Sequence, residues 1–139
     1  MKRLTVIRLG IRIVGEMDKN QEAKIVVVNP QDHPGWNESL LSFPDYSIFH
    51  TTWWAKVLVE TYRFRPRYLV LHRDFRLLSI IPVMEIRIDP CRRKGVALPF
   101  TDFCPVLHTY EPGVKEFFMK LIHKQVKHHG WCNLEIRGD

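Results

Sequence analysis

The chain has 139 residues, 45% hydrophobic and 12% aromatic, which is enough to bury one ordinary domain core and too apolar for a disordered tail. Its formal net charge of +6 favours polyanionic partners such as phosphates, nucleic acid or acidic lipid, and is equally compatible with an inert basic surface. Three cysteines without a C-x-x-C spacing argue against a disulfide framework, and no apolar run reaches the roughly 18–20 residues of a membrane span.

Met1-Lys2-Arg3 mimics the start of a leader, but Arg8 and Arg12 interrupt what would be its apolar core, so the expectation is a cytoplasmic chain. Residues 7–13 alternate Ile7, Leu9, Ile11 and Ile13 with Arg8, Gly10 and Arg12, the pattern of a strand with one wet face. Residues 1–22 therefore read as an extension or added edge strand, and residues 23–139 as the domain proper. Residues 25–28 form a β-branched buried strand ended by Asn29-Pro30. Asp32-His33-Pro34 predicts a helix start, with Trp36, Leu40 and Leu41 on its inner face until Phe43-Pro44-Asp45 breaks it. Thr51 or Thr52 caps a second helix whose apolar face is Trp54, Val57, Leu58 and Tyr62. Trp53 points off that face, towards a ligand, another domain or a neighbouring loop.

Residues 68–72 and 77–88 read as two strands joined by a tight turn at residues 73–76, the second carrying Pro82 and so expected to bulge or splay there. Asp89-Pro90 starts a turn, and residues 92–95 close a hairpin into residues 96–98, an apolar strand. Pro99 removes a ladder donor and ends it. Glu111-Pro112 opens a helix with Val114, Phe117, Phe118, Leu121, Ile122 and Val126 on one stripe, ended by Gly130. Leu134 and Ile136 alternate in a last strand. The sum is an α+β fold around a mainly antiparallel sheet.

The polar pair Thr101-Asp102 sits at the broken strand end, where α/β sheets open ligand crevices; an Asx-turn capped by Asp102 is the structural alternative. Arg63, Arg65 and Arg67, spaced by two, place three guanidiniums on one side if extended, either to grip phosphate or as a solvated edge. Arg92-Arg93-Lys94-Gly95-Val96-Ala97 formally matches the acyl-CoA loop R-x-x-G-x-A, but a strand follows it where that loop needs a helix N-terminus. No metal site is expected: His123, His128 and His129 share a helix without a ligand spacing. A Cys104–histidine catalytic pair has no support from spacing.

Phe49-His50-Thr51-Thr52-Trp53-Trp54 (F-H-T-x-x-W), the Y-x-x-x-P-x-Y-L-V of residues 62–70 and Leu98-Pro99-Phe100-Thr101-Asp102 (L-P-F-[ST]-D) occur in an order that resembles the first half of FemAB-like proteins, over roughly residues 36 to 137. The resemblance implies a GNAT-like fold. It also implies transfer of an acyl or aminoacyl group, from acetyl-CoA or aminoacyl-tRNA, to an amine of a cell-envelope precursor or glycan. No tightly held cofactor is implied. Asp102 would orient or deprotonate the amine, and His50, Trp53, Thr101 and Phe103 would shape the pocket, with Arg65 and Arg67 for an anionic, nucleotide-linked substrate. FemAB-like enzymes carry two GNAT-like domains, so the expected partner is a second such domain or a second copy, the place a cytoplasmic protein or one peripheral at the inner membrane, and the isolated chain inactive. The rival class is a small basic module that binds nucleotide, acidic glycan or RNA without chemistry.

Overall fold

The computed structural model describes residues 23–101 and 104–137. The alternating stretch at residues 7–13 and the connector after it lie outside the described residues. The elements follow the order β1 (Lys24–Val28), α1 (Trp36–Ser39), α2 (Thr52–Tyr62), β2 (Arg65–Pro66), β3 (Tyr68–Arg73), β4 (Arg76–Ile81), β5 (Val83–Arg87), β6 (Arg93–Ala97), β7 (Leu107–His108), α3 (Val114–His128) and β8 (Trp131–Glu135). This is the expected α+β class with mainly antiparallel pairing.

Pro82 decides the topology. The predicted long strand at residues 77–88 divides there, and its halves join different four-stranded sheets. One sheet has the order β1-β3-β4-β7 and the other β2-β5-β6-β8. A proline cannot donate to a ladder, so the strand changes sheets where its donor is missing. Pairing is antiparallel throughout the described strands except between β6 and β8, which run parallel with α3 in the crossover.

Strand alternation sorts the core onto two sides. Tyr68 and Val70 of β3 pack with Trp36, Leu40, Ala55 and Leu58 on the side of α1 and α2. Their sequence neighbours Leu69 and Leu71 pack with Val114, Phe118, Leu121 and Ile122 on the side of α3. Each such buried side chain contributes about 1.5–3 kcal/mol of hydrophobic stabilisation. Phe117 and Val126 are only half-buried, and Gln125 joins the buried face of α3.

Four expectations are corrected. The helix predicted from Asp32 starts later: Asn29 caps a 3-10 turn at Pro30–Asp32, and α1 begins at Trp36 after Gly35 in a left-handed conformation (φ 78°). Leu41 is exposed because only Trp36 and Leu40 turn inward. On α2 the buried residues are Ala55 and Leu58, whereas Val57 and Tyr62 face solvent. Residues 93–95 belong to β6, so the hairpin turn lies earlier, closed by Ile88 N–H donating to Arg92 O at 2.9 Å. Gly95 is thus a strand residue facing Trp131 and Leu134, and the R-x-x-G-x-A match has no helix behind it.

Candidate functional site

The broken end of β6 carries two of the four positive-φ non-glycine residues found among the described residues. Leu98 (φ 45°) and Phe100 (φ 68°) both lie in the left-handed region, on either side of Pro99. Bulky residues pay of order 1–3 kcal/mol each for such conformations, which persist where surrounding contacts over-determine them and cluster at functional sites. Here Leu98 N–H donates to Pro82 O at 3.1 Å, and the Thr101 hydroxyl donates to Leu98 O at 2.8 Å. The Phe100 ring, 59% exposed, stacks on Tyr62 with centroids 4.5 Å apart, and Tyr62 stacks on Phe64 at 5.4 Å. These three rings form an aromatic face on the α1/α2 side of the break.

Arg137, just beyond β8, holds both limbs of the break. Its guanidinium donates to Thr101 O at 3.3 Å, and its carbonyl accepts from Cys104 N–H at 3.0 Å. Glu135 fixes that guanidinium by accepting from its Nε at 2.8 Å. Thr101 and Cys104 flank Asp102 and Phe103 in sequence. Asp102 and Phe103 themselves lie outside the described residues.

His50 is fully buried, and both ring nitrogens are engaged. Nδ1 accepts from the Ser47 N–H at 3.1 Å, so it carries no proton, and Nε2–H donates to Pro105 O at 3.2 Å. Burial holds the ring below the ordinary histidine range, against smaller opposing contributions from the Pro105 and Ser47 backbone. His50 is a neutral pin between the start of α2 and the far limb of the break. Cys104 comes to it after all, with Sγ 3.7 Å from Nε2, although the two are 54 positions apart. Burial pushes that thiol up to about 12, so it stays protonated, and a neutral, buried imidazole that already donates elsewhere cannot activate it.

Of the remaining expected residues, Arg67 alone has its backbone level with the end of β6. Trp53 is 65% exposed on the outer side of α2. Asn37 Oδ1 accepts the Thr52 N–H at 2.9 Å, so a neighbouring element caps α2, and the Thr51 hydroxyl turns back to Ile48 O. Arg65 of β2 is level with Gly95 in the middle of β6, and Arg67, just after β2, donates its N–H to Val83 O at 2.8 Å, level with Ala97 at the end of β6. Among the described residues, no group of three His, Cys, Asp or Glu side chains is placed to hold a metal ion, and no helix is long and apolar enough to cross a membrane.

Sequence reasoning missed Arg137 and the Tyr62–Phe64–Phe100 stack. Aromatics at 62 and 64 interleaved with arginines at 63 and 65 were a visible signal for the stack. Nothing local marks Arg137, whose partners are more than 30 positions away.

Helices on both sides of strands that part at a proline, with a parallel strand–helix–strand unit closing on a broken strand end, make up a fold that is GNAT-like by its likeness to a solved structure. A solved structure similar to this chain is the crystal structure of ribosomal-protein-alanine N-acetyltransferase from Brucella melitensis biovar Abortus 2308, with a TM-score of 0.52 and 13% sequence identity, covering 84% of this chain and 80% of that one. At that identity the likeness is one of fold. No family model and no curated protein sequence matches the chain.

Proposed function

We propose that this chain is a FemAB-like N-acyltransferase domain, moving an acyl or aminoacyl group onto an amine of a cell-envelope precursor or glycan. One observation carries the reading: the strained break 98–101 lies at the carboxyl end of β6, where its parallel neighbour β8 also ends and Arg137 ties the limbs together. Carboxyl ends of parallel strands are where such folds bind their reactants. The three motifs that resemble those of FemAB-like proteins include this break and the start of α2, whose His50 packs against Cys104 and Pro105 on its far limb.

The buried state of Cys104 and His50 favours direct transfer over an acyl-enzyme. The amine nitrogen attacks the donor's carbonyl carbon, the tetrahedral oxyanion collapses, and the thiolate of coenzyme A or the ribose oxygen of tRNA leaves. Asp102 accepts the amine proton, directly or through a water. The aromatic face of Tyr62, Phe64 and Phe100 holds apolar parts of a reactant or seats a second domain. Trp53, 65% exposed, supports a second contact surface of that kind. In this reading residues 23–139 are the first of two GNAT-like domains, and the isolated chain turns over slowly or self-associates.

The test is acyl transfer to a panel of amine acceptors from labelled acetyl-CoA or aminoacyl-tRNA, with the chain sized by light scattering. The proposal predicts weak transfer that Asp102→Ala lowers by about 10²–10⁴-fold, the range for loss of a general base. Turnover indifferent to Asp102→Ala removes the site assignment. Robust turnover by a strict monomer removes the half-enzyme reading.

A further inference from the structure

At the other end of β6, about 13 Å from the break along the strand, four arginines converge on one open cleft of about 430 Å³. Arg63 and Arg65 come from the β2 side, and Arg87 and Arg93 from β5 and β6. We propose that this cleft is a binding site for the phosphate or pyrophosphate group of a soluble small molecule. The inference does not rest on the acyl-transfer reading.

The charges do not cancel. Glu85 is the one acid lining the cleft, and it is buried. Its Oε2 is taken by the Trp131 indole N–H at 2.8 Å. Its Oε1 is 3.5 Å from Arg93 Nη1 and 3.7 Å from Arg65 Nη1, too long for bidentate pairs, so both guanidiniums keep donors free. Among the described residues Arg63 and Arg87 have no ion-pair partner. Nearby Asp89 is already consumed, accepting from the Cys91 and Arg92 amides at 2.9 and 2.8 Å and from Arg92 Nε at 2.6 Å. Four cations therefore face one carboxylate.

Two further features point the same way. Arg87 stands directly across from Arg93 in the β5–β6 ladder, and like charges in that position weaken a sheet. Arg63 occupies the left-handed C-cap of α2 (φ 59°), where glycine or asparagine is the ordinary choice. The facing pair costs stability unless a dianion gathers its guanidiniums, and the left-handed Arg63 is a backbone cost that stays whatever binds. Planar guanidinium forks match phosphate oxygens, and the cleft offers no ring or apolar floor beyond Pro90 and Cys91. It recognises the phosphate and not a base or an acyl chain.

The experiment is calorimetric titration of the protein with inorganic pyrophosphate, with phosphatidylglycerol vesicles and a short single-stranded RNA as parallel arms. The variants are Arg63→Gly, which suits the left-handed backbone, Arg87→Gln, and Arg87→Lys. Saturable pyrophosphate binding is expected, at least ten-fold weaker in Arg63→Gly/Arg87→Gln and weakened to a lesser degree in Arg87→Lys, with melting temperatures at or above that of the parent. No pyrophosphate binding, or binding unchanged in the double variant, overturns the proposal. Binding to vesicles alone assigns the arginines to a lipid headgroup, and binding to RNA alone to a nucleic-acid backbone; either overturns the soluble-ligand claim.

Discussion

Gly95→Ala tests the close approach of β6 and β8 on which the site is built. A Cβ at Gly95 would stand 2.9 Å from Leu134 Cδ1 and 2.9 Å from Trp131 Cε3, both side chains of β8. Trp131 cannot swing away freely, because it is buried, stacked on His129 at 4.6 Å and bonded to Glu85 through its indole N–H. Overpacking of this kind costs about 1–3 kcal/mol. The lower entropy of the unfolded alanine chain returns about 0.4–1 kcal/mol. A net loss of about 1–2 kcal/mol is expected, which for a domain of this size lowers the melting temperature by roughly 2–8 °C. Calorimetry of Gly95→Ala in the parent and in a Leu134→Ala background completes a double-mutant cycle, and the substitution should cost less where the Leu134 side chain is already trimmed. A raised melting temperature, or equal costs in both backgrounds, would refute the close parallel packing. If Gly95 instead belonged to a phosphate loop, the substitution would weaken donor binding and leave stability untouched.

Three other outcomes are expected. Leu121→Ala truncates a side chain buried under the sheets and should cost about 2–5 kcal/mol in urea unfolding; a loss under about 0.5 kcal/mol would place that stripe of α3 at the surface. Native-state alkylation should modify exposed Cys91 and Cys132 and spare Cys104 until the protein unfolds, and mass spectrometry showing early modification of Cys104 would contradict its burial. Burial holds His50, His108 and His129 below the ordinary value of 6.5, so below that pH the unfolded chain takes up protons the folded chain refuses. Their contribution is therefore complete above 6.5 and is lost as pH falls through it; urea midpoints from pH 7.5 to 5 should decline, less steeply in His50→Gln, and a flat or rising profile would contradict this.

Periodicity made the helices α2 and α3 and the strands β1 and β8 legible, because each buries a face whose spacing survives in one sequence window. Pro82 was readable as an interruption, but not as a change of sheet, since that depends on which strands lie beside it. The start of α1 was misplaced because Asn29 offers its own backbone a local alternative, accepting from Gln31 N–H at 3.1 Å, ahead of the expected cap. Helix α2 was mis-phased at Val57 and Tyr62, where packing preferred small Ala55 against the sheet. At the site, the break itself was visible from Pro99 and Thr101. Its two left-handed residues, its tie to Arg137 and the contact of Cys104 with His50 are products of long-range closure that no local spacing encodes. The arginine alternation at 63–67 was visible too, but only Arg63 and Arg65 of it line the cleft, and the Arg87 and Arg93 that complete it come from a separate hairpin.

The central claim is that acyl transfer takes place at the broken end of β6. Backbone amide NMR during titration with acetyl-CoA, and with a non-hydrolysable aminoacyl-adenosine, tests it most directly because it reads location even where turnover is slow. The account predicts saturable shifts in the amides of Leu98, Phe100, Thr101, Cys104 and Arg137. Shifts confined to the arginine cleft around Arg63 and Arg87, with the amides of the break unmoved, would contradict it.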